Sequence, residues 1–105
     1  MEISDLLRPD SVITLKVSSK KQVLQEIAKV AARATELSER KIFDTLLERE
    51  RLGTTGVGNG IAIPHGKLSE LSALHGVFAR LEKPVDFEAI DGHPVDLVFL
   101  LLAPD

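Results

Sequence analysis

The stretch that decides the fold runs Arg49-Glu50-Arg51-Leu52-Gly53-Thr54-Thr55-Gly56-Val57-Gly58-Asn59-Gly60-Ile61-Ala62-Ile63-Pro64-His65-Gly66-Lys67. It predicts the end of a helix, a glycine-rich loop and a short apolar strand, Ile61 to Ile63. Pro64 ends that strand, because proline has no backbone donor. His65 is therefore presented at a strand end, and Gly66 lets a bulky group of another molecule approach the backbone closely. The arrangement is typical of a histidine that receives a phosphoryl group.

The segments before this stretch predict one strand and two helices. Alternating apolar residues indicate a half-buried strand, and apolar residues at helical spacing follow twice, each time after serines that can cap a helix start. In chain order we predict a short opening helical turn at Met1–Pro9, a strand at Val12–Val17, a helix capped by Ser18 or Ser19 and reaching about Thr35, and a helix from Ser38 that stops at Gly53.

The segments after it predict strands. We expect a strand at Gly76–Leu81, a turn-rich region at Lys83–Pro94 that contains Asp91-Gly92, and a buried central strand at Val95–Leu102, which is almost continuously apolar. This order predicts an α/β fold, a mixed β-sheet flanked by helices, in a single domain over residues 1–105. Because the sequence stops on a core strand, we also expect a longer domain truncated at its C-terminal side, with an exposed sheet face that favours self-association.

Composition excludes several classes of function. With 105 residues, a net charge of −3, no Trp, no Tyr and only four Phe, the chain lacks the broad basic face and the aromatic content expected of a nucleic-acid binder. The absence of Cys excludes disulfides, thiolate metal sites and cysteine catalysis. We find no signal peptide and no apolar run of membrane-spanning length, and we expect a cytoplasmic protein.

The spacing of the glycines does not match either of the common nucleotide-binding motifs. A P-loop needs four residues between its first glycine and Gly-Lys-Ser/Thr, whereas five separate Gly60 from Gly66-Lys67 and Leu68 replaces the hydroxyl residue. A dinucleotide fingerprint follows a strand, whereas Gly56, Gly58 and Gly60 are evenly spaced and follow a helix. Both readings therefore fail.

His65 is the candidate nucleophile, because a neutral imidazole nitrogen can attack phosphorus near neutral pH. Arg49, Arg51 and Lys67 are candidate cations for the transferring group, with Arg49 favoured because it lies further into the helix. Thr54 and Thr55 are candidate hydroxyl donors to phosphate oxygens. The alternatives are a silent hydrogen-bonded histidine, a solvated Glu48-Arg49-Glu50-Arg51 face and simple turn chemistry.

The other two histidines are expected at the surface, His93 in the Asp91-Gly92 turn and His75 at a strand start. No ligand spacing supports a metal site. Asp86, Glu88 and Asp91 are predicted to be loop carboxylates.

The run from Thr54 to Lys67 resembles the IIA domains of the bacterial phosphoenolpyruvate-dependent sugar phosphotransferase system, fructose/mannitol type. Phe87-Glu88-Ala89-Ile90-Asp91-Gly92 and Pro94-Val95-Asp96-Leu97-Val98-Phe99 support the resemblance, which covers nearly the whole chain. Asn59 and Lys67 favour the nitrogen-regulatory branch of that family.

The resemblance implies that Nε2 of His65 accepts a phosphoryl group from a histidine-containing phosphocarrier protein, and that Arg49 stabilises that group. It implies no metal and no nucleotide cofactor. The loop residues Thr54, Thr55, Gly56, Gly58, Gly60, Gly66 and Lys67 would surround the phosphate. Regulated partners of this branch include potassium transporters and sensor kinases.

Family domains continue beyond this sequence to a second, supporting histidine in a His-Leu pair, which neither His75 nor His93 matches. Two other functions stay open. One is a sugar-transport IIA component that passes phosphate to a permease, and the other is a non-catalytic anion-binding or interaction module. An antiterminator regulatory domain is a weaker alternative.

Overall fold

The computed structural model describes residues 12–105, so the opening turn predicted at Met1–Pro9 lies outside the described residues. Two helices and six strands follow in chain order: β1 Val12–Leu15, α1 Lys20–Thr35, α2 Glu39–Leu52, β2 Gly56–Gly58, β3 Ile61–Ala62, β4 His65–Leu68, β5 His75–Val85 and β6 Val95–Pro104.

Both helices begin and end where the sequence predicts. The Ser19 side chain accepts a hydrogen bond from the backbone N–H of Gln22 at the start of α1, and Ser38 does the same for α2. These bonds satisfy donors that have no partner within the helix. The α2 helix ends at Gly53, whose N–H is bonded to the carbonyl of Glu50.

The sheet is mixed, as predicted, and β6 is its central strand. The strand order is β1-β5-β6-β3-β2, and β4 also pairs with β6. The β6 strand is antiparallel to β5 and parallel to β3 and β4. This places β4, and therefore His65, beside the middle of the sheet.

One face of β6 belongs to the hydrophobic core. Val98, Leu100 and Leu102 are fully buried together with the apolar residues of both helices. The alternate residues Phe99 and Leu101 point to the opposite face and are only half-buried. Self-association through this second face stays a prediction.

The strand that begins at Ile61 stops before Pro64, as predicted, but the prediction that Pro64 also ends the pairing of this part of the chain is wrong. The β3 strand is only two residues long, and the chain pairs with β6 again from His65 to Leu68. The two pairings are continuous because the Pro64 carbonyl, which proline retains, accepts a hydrogen bond from the N–H of Leu101 at 3.0 Å. His65 is therefore the first residue of a strand.

Two further strand boundaries differ from the predictions. Gly56–Gly58 forms a hairpin with β3, although the glycines predict a loop. The β5 strand runs four residues past Leu81 to Val85, and so includes the start of the region expected to be turns. Pairing of Val85 with Val95 extends β5 there, after an irregularity in the register.

Candidate functional site

His65 is exposed, yet both of its ring nitrogens have partners. Nδ1 lies 2.9 Å from the carbonyl oxygen of Ile63, and Nε2 lies 3.2 Å from Nε of Arg49. A carbonyl oxygen can only accept and a guanidinium can only donate. The geometry therefore selects the neutral tautomer with its proton on Nδ1 and a lone pair on Nε2.

Arg49 reaches His65 from the last turn of α2. Its Nε donates to His65, and its Nη1 donates to the carbonyl oxygen of Gly53 at 2.8 Å. Two bonds from one rigid guanidinium fix its plane beside the ring. Arg51, two residues on, is exposed and has no such bond to His65.

Gly66 brings α2 close to the strand that carries His65. A Cβ atom built at Gly66 would lie 2.7 Å from Cγ2 of Thr45 on α2, much closer than real Cβ contacts. At Gly56 a Cβ atom would lie 2.8 Å from the Cβ of Ala89. Both glycines are thus explained by close packing, while Gly58 and Gly60 have positive φ in the β2–β3 hairpin.

The threonine hydroxyls are directed into the protein. Thr54 Oγ1 donates to the carbonyl oxygen of Phe87 at 2.7 Å and accepts from the N–H of Gly56 at 3.0 Å. Thr55 is buried, and its Oγ1 donates to Oε1 of Glu50 at 2.5 Å. Neither hydroxyl proton points at His65, in contrast to the phosphate-donor role expected from the sequence.

Glu50 is a buried carboxylate that the sequence reasoning missed. Its Oε2 lies 2.6 Å from Nζ of Lys20, and the two side chains are 4% and 20% exposed. Burial alone would raise the pKa of Glu50, but hydrogen bonds from Lys20 and Thr55 outweigh it and lower the pKa. The Glu48–Arg51 run is therefore not a uniformly solvated face. Ile42, Leu46 and Glu50 follow one another at i, i+4 and i+8, a spacing that could have shown Glu50 on the buried side.

A groove of about 810 Å³ opens beside His65. Its walls are the end of α2, β4 and the half-buried face of β6, including Arg51, Leu52, Lys67, Leu74 and Leu101. Leu52 is 86% exposed at its rim. The groove thus combines cationic groups and apolar surface next to His65.

His75 and His93 are the other two histidines of the chain. His93 is exposed, as expected, and its N–H donates to Asp91. His75 is half-buried, which differs from the surface position expected. Within residues 12–105, no three His, Cys, Asp or Glu side chains are grouped to hold a metal ion. No helix in this same range is long and apolar enough to cross a membrane.

The family model of the phosphoenolpyruvate-dependent sugar phosphotransferase system, EIIA 2, matches residues 5–105. The chain belongs to this family. Its mixed α/β fold agrees: the nitrogen regulatory protein IIA-Ntr from Neisseria meningitidis superposes with a TM-score of 0.93 at 39% identity, over 98% of this chain and 71% of that one. The expected fold is confirmed.

The similar sequences include proteins of the nitrogen-regulatory branch. The nitrogen regulatory protein of Bradyrhizobium diazoefficiens is 59% identical, and that of Klebsiella oxytoca 47% identical, over 100% and 99% of this chain. The chain spans 69% and 65% of the length of these two proteins. A fructose-specific EIIABC component of Bacillus subtilis is less similar, at 34% identity.

Proposed function

We propose that the chain is the phosphoryl-accepting part of a nitrogen-regulatory IIA component, with His65 as the acceptor. The observation that carries the proposal is the pair of bonds at the imidazole, which places the proton on Nδ1 and the lone pair on Nε2. Nε2 is therefore the nucleophilic atom, as the resemblance implies.

The donor is a histidine-containing phosphocarrier protein. The lone pair of Nε2 forms a new N–P bond while the N–P bond of the carrier breaks, and that electron pair returns to the carrier's ring nitrogen. A carrier phosphohistidine protonated on its other nitrogen becomes a neutral imidazole. His65 becomes the corresponding phosphoimidazolium, whose Nδ1 keeps its proton and still donates it to the Ile63 carbonyl, so the charges balance without proton transfer.

Arg49 stabilises the group in transit. The guanidinium that donates to Nε2 in the resting protein turns its donors to the phosphoryl oxygens as the phosphorus approaches. Lys67 and Arg51 line the same groove and add positive charge to it. The relay uses no metal and no nucleotide. The apolar rim of the groove suits a docking protein, and the cations guide its phosphate.

Regulation follows from the phosphorylation state of His65, which changes the charge beside the groove and so the set of proteins that bind. The proposed targets are potassium transporters and sensor kinases, which the protein would reach from the cytoplasm.

The sugar-transport alternative is less well supported, because the nitrogen-regulatory relatives share 59% and 47% identity and the fructose-specific one 34%. The anion-binding module is disfavoured by the Thr54 and Thr55 hydroxyls, since neither is directed toward an anion beside His65.

The test is intact mass after incubation with phosphoenolpyruvate, enzyme I and a phosphocarrier, with His65→Ala in parallel. We expect one phosphate on the wild type alone, lost in acid and stable in base. Labelling of His65→Ala would remove His65 as the acceptor. Tight phosphate binding without covalent modification would favour the anion-binding module.

A further inference from the structure

Glu50 is a buried carboxylate that does not line the groove beside His65 and has no part in the transfer described above. It belongs to the end of α2, one residue after Arg49, with its side chain turned to the opposite, interior side. A buried carboxylate is costly unless it is paired and hydrogen-bonded. Glu50 has three bonds that satisfy it, one from Lys20 and two from Thr55.

The bonds from Thr55 lead to the far nitrogen of His65. Oε2 of Glu50 accepts from the N–H of Thr55 at 3.0 Å, and the carbonyl of Thr55 accepts from the N–H of Ile63 at 2.9 Å. The carbonyl of Ile63 then accepts from Nδ1 of His65, also at 2.9 Å. The backbones of two residues, Thr55 and Ile63, therefore join an ionised carboxylate to the imidazole.

These bonds act through position, because the N–H and the carbonyl of one residue belong to two different peptide groups that its Cα separates. Glu50 fixes the N–H of Thr55 and so the backbone of that residue. The carbonyl of Thr55 holds Ile63 in turn, and with it the carbonyl that accepts from Nδ1 of His65. The same segment of chain also contacts Arg49. Residues 53 to 55 are fixed at one end by Arg49 on the Gly53 carbonyl and at the other by Glu50 on Thr55.

We propose that Glu50 is a positioning residue for the phosphoryl transfer, which holds the His65 tautomer through Thr55 and Ile63 and the Arg49 guanidinium through Gly53. The inference rests on the proposed function of His65. Lys20 neutralises the carboxylate from α1 and also donates to the carbonyl of Phe87 at 3.2 Å, beside the Thr54 bond to the same atom. Helix α1 thus holds Glu50 in place through Lys20, although α1 does not line the groove.

The decisive variant is Glu50→Gln, which keeps the shape and removes the charge. We expect kcat for transfer from the phosphocarrier to fall about ten-fold with KM within about two-fold, because the ring and guanidinium are misplaced while the docking surface is intact. Long-range proton–nitrogen NMR of the unphosphorylated protein should show a smaller fraction of the Nδ1–H tautomer of His65.

Two controls separate positioning from stability. Glu26→Gln removes an exposed carboxylate that pairs with Lys29 at 3.4 Å, and should change neither readout. Ile27→Ala removes buried side-chain volume on α1 and should lower stability while the His65 spectrum stays wild-type. If Glu50→Gln slows transfer no more than Ile27→Ala and leaves the tautomer unchanged, the inference is wrong.

A second substitution of Glu50 tests the inference if Glu50→Gln does not fold. Glu50→Asp keeps the charge for the flexible Lys20 but is one methylene too short for Thr55, so it should fold and show both the kcat loss and the tautomer shift. A folded Glu50→Asp with a wild-type rate and spectrum would overturn the inference. Failure of the wild type to take up phosphate would instead refute the proposed function, and the tautomer measurement would still test Glu50.

Discussion

Replacing Gly66 with alanine should destabilise the protein through a single atomic collision. A Cβ atom at Gly66 would lie 2.7 Å from Cγ2 of Thr45, whereas the next neighbours, Cβ of Thr45 and Cδ2 of Leu46, lie 3.9 and 4.0 Å away. The contact is between β4 and a helix side chain whose Oγ1 is bonded to the Lys41 carbonyl at 2.8 Å, so Thr45 cannot simply rotate without losing that bond.

The size of the effect follows from two opposing terms. Overpacking of this kind costs about 1–3 kcal/mol. Alanine lowers the conformational entropy of the unfolded chain relative to glycine, which returns roughly 0.4–1 kcal/mol. The expected net loss in the free energy of unfolding is about 1–2 kcal/mol, or a fall in Tm of about 4–8 °C for each kcal/mol.

The assay is a double-mutant cycle by urea unfolding followed by circular dichroism. Thr45→Ser deletes the colliding Cγ2 and keeps the hydroxyl, so Gly66→Ala should cost little in a protein that already carries Thr45→Ser. The coupling energy should be at least about 0.5 kcal/mol. If Gly66→Ala is as stable as wild type, or if Thr45→Ser gives no rescue, the close approach of α2 does not explain Gly66.

Two further predictions concern the charged groups. Arg49→Ala should slow phosphoryl transfer by about 10²-fold, the usual loss for one transition-state donor. Arg51→Ala should have a smaller effect, because of these two arginines Arg49 is the one that bonds His65. Stopped-flow transfer from the labelled carrier measures both rates, and equal effects would remove Arg49 from its role. For acid stability, the pKa of Glu50 is lowered in the folded protein from its ordinary 4.5, so its contribution is present above pH 4.5 and lost as the pH falls through the lower folded value. Urea unfolding between about pH 2 and 7 should therefore show the stability of Glu50→Gln, relative to wild type, rising as the pH falls below the unfolded pKa, and a pH-independent difference would contradict the assignment.

Much of the fold could be predicted because local signals agree with the tertiary structure. Ser19, Ser38 and Gly53 mark helix ends by hydrogen bonds within a few residues, which a sequence displays directly. The apolar run from Val95 to Leu102 indicates a buried strand because a run of this length is needed to fill a core, and Val95, Val98, Leu100 and Leu102 are buried. These features require no knowledge of distant residues.

The errors arose where distant residues decide the structure. Pro64 lacks a donor, but the pairing across it depends on its carbonyl and on Leu101, which is 37 residues away (101 − 64). Gly56 and Gly66 were interpreted as loop or ligand-approach glycines, whereas Ala89 and Thr45 explain them. The Thr55 hydroxyl, a candidate phosphate donor from the sequence, donates instead to Glu50, and only the helical spacing of Glu50 from Ile42 and Leu46 indicated that this carboxylate turns inward.

The site itself illustrates how an exposed histidine can be held in one state. A surface side chain normally loses rotamer freedom only at a cost in free energy when it binds a partner. Here the Ile63 carbonyl and Arg49 restrain the His65 ring before any partner arrives. The carbonyl is a backbone group whose position is set by sheet pairing, so the fold supplies the ordering of the ring in advance. Arg49, in contrast, is a side chain that can leave Nε2 for a phosphoryl oxygen. One restraint on His65 is therefore permanent and the other exchangeable. The proposed phosphoryl relay requires both, because its acceptor must be oriented first and electrostatically stabilised afterwards.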